Sequence, residues 1–211
     1  MQGVAPSEGV TDALAEARCD ALREAGLNID EYVSWHGGAS AVEAARHILA
    51  DRALPDDLEL VTVGPETSAE ELAGLDALTQ SCDVLLPMGR FIRGLERPAV
   101  CLMARDPLGR IVGATAAVAQ YHPDHPKADR VWWGMLATDA DRRGQSIALV
   151  MGAHSLTAMA DRHGYSRFFT GIRAGNAPSE KLCAKLGLAP TGEVDMIAIC
   201  PEAFSGGQLT K

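Results

Sequence analysis

The chain has 211 residues, 47% hydrophobic and 22% charged, with a formal net charge of -9, which suits one folded domain plus an appendage and excludes whole-chain disorder. The acidic balance, without any Lys and Arg run interleaved with aromatics, opposes the phosphate neutralisation that nucleic acid requires, so no nucleic-acid partner is expected; by steering, an acidic surface favours a cationic or amine-bearing substrate. Five scattered cysteines, Cys19, Cys82, Cys101, Cys183 and Cys200, never spaced as C-x-x-C, argue against a disulfide framework or a zinc knuckle and fit a reducing, cytoplasmic setting.

The N-terminus carries no positive charge ahead of an apolar core, unlike a signal peptide, and no apolar run approaches the roughly 20 residues that span a bilayer, so no membrane partner is expected. From Thr11 to Gly26 apolar residues recur at Leu14, Ala17, Ala21, Leu22 and Ala25, a helical period ending at a glycine suited to a left-handed cap. A second helix is expected from Ser40, with Glu43 completing a capping box, to Arg52. Residues 1–55 thus read as an N-terminal helical extension, 56–200 as the main domain and 201–211 as a tail.

Leu58 to Val63, ended by Gly64-Pro65, reads as a strand, and Ser68 with Glu71 caps a helix running to about Leu78. Ser81 to Pro98, punctuated by Pro87, Gly89 and Gly94, reads as a loop with one short helix. Ala99 to Arg105 and Arg110 to Gln120, joined by Asp106-Pro107-Leu108-Gly109, read as a hairpin, and Val131 to Thr138 adds a third strand. Arg143 to His163 is a long helix before Gly164, Arg167 to Arg173 a strand, Pro178 the start of a helix closed by Gly187, and Thr191 to Ile199 the last strand. The order mixes antiparallel and crossover connections in one sheet: an α/β (α+β) fold with helices on its flanks.

The segment Thr138-Asp-Ala-Asp-Arg-Arg-Gly-Gln-Ser-Ile-Ala148 ends a strand, turns, and opens a helix. Unpaired N–H groups and the positive end of the helix dipole favour an anion there, small residues admit it, and Arg142 and Arg143 add charge. A basic loop opening an ordinary core helix is the alternative. Neither Gly-x-Gly-x-x-Gly nor Gly-Lys-Ser/Thr occurs in the segment, so a dinucleotide fold or P-loop is a poor match.

Arg143-Gly144-Gln145-Ser146-Ile147-Ala148 resembles the Arg/Gln-x-x-Gly-x-Gly/Ala signature of the GNAT superfamily of acetyltransferases, with Ser146 standing where the signature has glycine. Asn176-Ala-Pro-Ser-Glu-Lys-Leu-Cys-Ala-Lys-Leu-Gly-Leu188 is similar to that family's second segment, Asn-x-x-Ala/Ser-x-x-Leu-Tyr-x-Lys-x-Gly-Phe. The resemblance extends over about Leu58 to Ile199 and implies a mixed central sheet of the GNAT type. It also implies acetyl-CoA as co-substrate, a small-molecule or peptide amine as acceptor, and a homodimer, which is common in the family. By the same resemblance Leu136, Ala137, Thr138, Arg142, Arg143, Gly144, Gln145, Ser146, Ile147, Ala148, Asn176 and Ser179 line the cofactor's path. The pantetheine would enter a splay between Gly134 to Thr138 and Phe168 to Arg173, with N–H groups near Leu136 polarising the thioester.

Amine attack on a thioester needs a base, and the departing thiolate needs an acid. Cys183 occupies the place of the family's proton-donating Tyr; it can donate a proton, act as a nucleophile if a base activates it, or only fill space. Trp132 and Trp133 stand where many relatives carry Glu, leaving the usual base position empty. The substitute is His122, in Tyr121-His-Pro-Asp-His-Pro126 with Asp124 and His125, acting through water or serving as a plain surface loop; with no partner cluster, no metal is expected. The rival to an enzyme is a CoA-binding sensor or interaction domain without turnover.

Overall fold

The computed structural model describes residues 3–203. They form β1 (Val4–Val10), α1 (Asp12–Glu24), β2 (Asn28–Gly37), α2 (Ala39–Asp51), β3 (Glu59–Thr62), α3 (Ala69–Ser81), α4 (Gly89–Ile92), β4 (Ala99–Arg105), β5 (Ile111–Val118), β6 (Arg130–Thr138), α5 (Ile147–His163), β7 (Arg167–Ile172), α6 (Ala177–Lys185) and β8 (Ala189–Ile199). All strands join one sheet in the order β1-β8-β2-β7-β6-β5-β4-β3. Among the described residues only β6 and β7 run parallel, and α5 is the long crossover that a parallel pair needs. This is the mixed, helix-flanked sheet that the sequence implies. The tail expected over 201–211 lies, from residue 204 on, outside the described residues.

Local signals account for most boundaries. Gly26 and Gly164 take φ of +79° and +75° just beyond α1 and α5, as left-handed caps should. Ser68 accepts from the Glu71 N–H at 3.2 Å while Glu71 accepts from the Ser68 N–H at 3.0 Å, a complete capping box. Two signals misplace an element. The cap of α2 is Gly38, without any side-chain bond, rather than Ser40. The helix expected from Arg143 starts at Ile147, because a 3-10 turn over Ala140–Arg142 and a left-handed Ser146 come first.

The larger correction concerns residues 1–55. The expected helices form, but two strands accompany them, and β2 lies inside the sheet between β7 and β8. Periodicity conceals β2 because its buried alternate positions Asp30, Tyr32 and Ser34 are polar, against the apolar alternation by which a half-buried strand is recognised. β1 is an edge strand, which tolerates Pro6 without loss of a ladder bond.

Successive residues of a strand face opposite sides, and the sheet carries two cores accordingly. Trp35, Val100, Leu102, Val131 and Trp133 pack with α2 and α5; Cys101, Met103, Ala114 and Ala116 pack with α3 and α4 on the other side. α1 covers β8 and β2 through Ala15, Cys19 and Met196. Trp133 is fully buried and donates its indole N–H to Ser155 Oγ of α5 at 2.8 Å. Its neighbour Trp132 packs on the α3 side, so the adjacent tryptophans divide between the faces as strand geometry demands.

Candidate functional site

β6 and β7 separate after a short parallel contact. Their register runs from Arg130 opposite Arg167 to Trp132 opposite Phe169 and stops. One extra β6 residue fits between the pairs Ala114–Ala137 and Ala116–Gly134, and Met135 takes a φ of +56°, a left-handed conformation that non-glycine residues enter at some cost. This bulge bends β6 away from β7. A cavity of about 520 Å³ occupies the gap, with Gly134 and Leu136 on one wall, Thr170 and Ile172 on the other. Cys183 belongs to the core under α5 and Cys82 packs on the opposite face. Both line the cavity, as an opening through the sheet allows.

Beyond Leu136, β6 runs into the basic loop. Asp139 Oδ1 accepts from the Asp141 N–H at 3.0 Å, shaping the 3-10 turn. Arg142 is held at both Nη atoms by Asp57 at 2.9 and 3.0 Å, and its Nε donates to Gln145 Oε1 at 3.2 Å. That engagement lowers the Asp57 pKa and raises that of Arg142, so Arg142 ties the loop to the segment before β3. Arg143, Gly144 and Gln145 are exposed. Gly144 and Ser146 take φ of +79° and +61°, and no described residue accepts from the N–H of Gly144, Gln145 or Ser146. Left-handed residues beside free N–H groups at a helix start make an anion-binding concavity. A Cβ on Gly144 would meet nothing within 4 Å, so the loop has open space before it. Thr138 Oγ1 is buried with no partner among the described residues. Arg52, after α2, donates to Ser146 Oγ at 3.4 Å, a cation beside the loop that the sequence does not reveal.

Of the other positions singled out, Ala137 is buried on the α3 side, Ile147, the first residue of α5, is buried in the core on the α5 side, and Ala148 is half-buried. Asn176 caps α6 by accepting from the Ser179 N–H at 3.3 Å, and both residues line the cavity. The start of α6 thus lines the gap, while the basic loop follows β6 along the chain beyond Leu136.

The two acid–base candidates fare differently. Cys183 reaches the cavity but is only 3% exposed, and burial pushes its thiol up to about 12. It stays protonated through neutral pH and is a poor nucleophile. His122 does not line the cavity; its side chain is 65% exposed, its Nδ1 3.5 Å from Asp124 and accepting the Asp124 N–H at 3.2 Å.

The cavity instead holds two carboxylates that sequence reasoning missed, Glu8 of β1 and Asp195 of β8. Burial, then the charge of Asp195, pushes Glu8 up to about 7. Burial likewise raises Asp195, which accepts the Gly9 N–H at 2.8 Å. No local motif marks either residue, because each matters only through a partner at the far end of the chain.

The model of the Acetyltransferase (GNAT) family matches residues 72–188. No protein of curated function matches the sequence. Among solved structures, the fold is similar to a GCN5-related N-acetyltransferase from Kribbella flavida, with a TM-score of 0.58 and 15% identity, covering 87% of this chain and 63% of that one. A tandem GNAT protein from the clavulanic acid biosynthesis pathway matches with a TM-score of 0.60 and 20% identity, covering 93% of this chain and 63% of that one. A GCN5-related N-acetyltransferase from Sphaerobacter thermophilus matches with a TM-score of 0.55 and 13% identity, covering 92% of this chain and 58% of that one. The chain therefore spans less than two thirds of the length of these solved relatives. At such identities they speak for the fold alone. With the family model running from α3 through the gap, the basic loop and α6, more than half of the sequence, the chain belongs to the GNAT acetyltransferase family.

Proposed function

We propose that the chain transfers an acetyl group from acetyl-CoA to a primary amine of a small molecule or peptide. The observation that carries this reading is that β6, after lining the β6–β7 gap with Gly134 to Leu136, runs on along the chain into the loop over Arg143–Ser146 and its free N–H groups. The pyrophosphate would sit on the free N–H groups of Gly144, Gln145 and Ser146, with Arg143 adding charge. The pantetheine would follow β6 through the gap past Asn176 and Ser179. Beyond Trp132 β6 no longer pairs with β7, and N–H groups near Leu136 would polarise the thioester carbonyl. Holding thioester and amine together in one cavity supplies much of the acceleration by positioning.

Calorimetric titration with acetyl-CoA, followed in the same sample by thiol release against a panel of amines, tests the reading. Binding with thiol release supports it. Binding without release from any amine makes the chain a CoA sensor or interaction domain, and no binding at all removes the proposal.

A further inference from the structure

The usual place for a base on β6 holds Trp132 and Trp133, yet the cavity contains a carboxylate from a part of the chain outside the family match. β1 presents Val4, Pro6 and Glu8 to the cavity, one face of an alternating strand. After Glu8 the alternation breaks. Ser7 pairs with Met196 and Val10 with Val194, so Glu8 and Gly9 together stand opposite Asp195. This bulge needs Gly9, whose φ is +62° and where a Cβ would come within 2.9 Å of Glu193 Oε2. Its effect is to turn Val10 into the core beneath α1 while Glu8 stays in the cavity.

The groups around Glu8 are few. Gln120 donates to Glu8 Oε1 from the end of β5. Lys127 donates to the Glu8 carbonyl oxygen at 3.2 Å, not to its carboxylate. Arg130 of β6 acts only at longer range, and Asp195 faces Glu8 from β8, itself held by the Gly9 N–H and Ser34. Among the described residues neither carboxylate has an ion-pair partner.

We propose that Glu8 is the general base of the acetyl transfer, set at the acceptor end of the cavity by the β1 bulge, and that the acceptor is a small primary amine with an apolar, ring-sized body. The assignment rests on the acetyltransferase reading above. The body of the acceptor would lie against Val84, Leu85, Met88, Phe91, Trp132 and Phe169, the apolar side of the cavity. Its ammonium would enter between Glu8 and Asp195. Glu8 takes one proton from the ammonium, and the free nitrogen pair forms the C–N bond on the thioester carbonyl carbon. The C–S bond then breaks, the thiolate takes a second proton from the nitrogen through water, and Glu8 returns its proton to solvent. The sum is amine cation plus acetyl-CoA giving amide, free CoA and one proton. A base with a pKa of about 7 is half-ionised near neutrality, close to the optimum for proton transfer at that pH.

The test uses the full chain with acetyl-CoA and 2-phenylethylamine, read by thiol release from pH 5.5 to 9. kcat/KM should rise through an apparent pKa near 7 in the unaltered protein. Glu8→Gln should bind acetyl-CoA with unchanged affinity by calorimetry, lose the rising limb, and lose roughly 10²- to 10⁴-fold in kcat; Glu8→Asp should keep the limb at reduced rate. Asp195→Asn should raise KM for the amine more than it lowers kcat. Glu8→Gln with an unaltered rate and pH profile overturns the base assignment. Bound acetyl-CoA with thiol release only from acidic or strongly polar amines overturns the acceptor class. Failure of the unaltered protein to bind acetyl-CoA is a separate result, which removes the acetyltransferase reading and the role of Glu8 with it.

Discussion

A carboxylate taken partly out of water is held against its charged form, so the folded-state pKa of Glu8, about 7, lies above its ordinary 4.5. The sign for stability follows by linkage. A raised folded pKa contributes stability that is fully present below pH 4.5 and lost as the pH rises through 7. Glu8→Gln, which cannot ionise, should therefore stabilise the protein by about 1–3 kcal/mol at pH 8 and change little at pH 4. Denaturant titrations at the two pH values check this, and a site that trades stability for reactivity predicts that gain alongside lost turnover. At the other end of the site, Arg143 is exposed whereas Arg142 is engaged by Asp57 and Gln145. Arg143→Ala should weaken acetyl-CoA binding by about 1.5–3 kcal/mol, the worth of a charge-assisted phosphate contact. Unchanged affinity in calorimetry would remove the pyrophosphate from this loop.

At the scale of elements, the site depends on how closely α5 lies against β6. Gly152 is the contact point: a Cβ there would sit 2.9 Å from Trp133 Cζ2 and 3.1 Å from Leu186 Cδ1. Gly152→Ala gains up to about 1 kcal/mol of helix propensity in an open helix, but here overpacking against a fully buried indole should outweigh it, for a net loss of about 1–2 kcal/mol. Equilibrium unfolding decides between the two effects, since a net gain would mean that the helix can move away without cost. The same helix explains why one boundary escaped sequence reading. The apolar stripe Ile147, Val150 and Met151 was legible, but the start was not, because residues 143–146 carry no β or α periodicity and take their shape from the Arg142–Asp57 pair and a left-handed Ser146.

For the whole molecule, β2 is decisive, because it pairs on one side with β7 and on the other with β8. A fragment beginning at residue 56 would leave both partners with open ladders and remove β1, Glu8 and the cover of α1. Such a fragment should be insoluble or lack fixed near-ultraviolet circular dichroism, and a well-folded monomer would show that β2 is dispensable. What the sequence by itself determined was local. The Arg143–Ala148 loop, the cap at Asn176, the capping box at Ser68 and the long apolar stripe of α5 are written in contiguous residues, because free N–H groups, turn chemistry and helical period act over a few positions. Only the tertiary structure decided that β2 enters the sheet, since its inner face is polar where a strand is recognised by apolar alternation. The tertiary structure also brought Glu8 to Asp195, because a charge's environment depends on residues near it in space, and these lie at opposite ends of the chain.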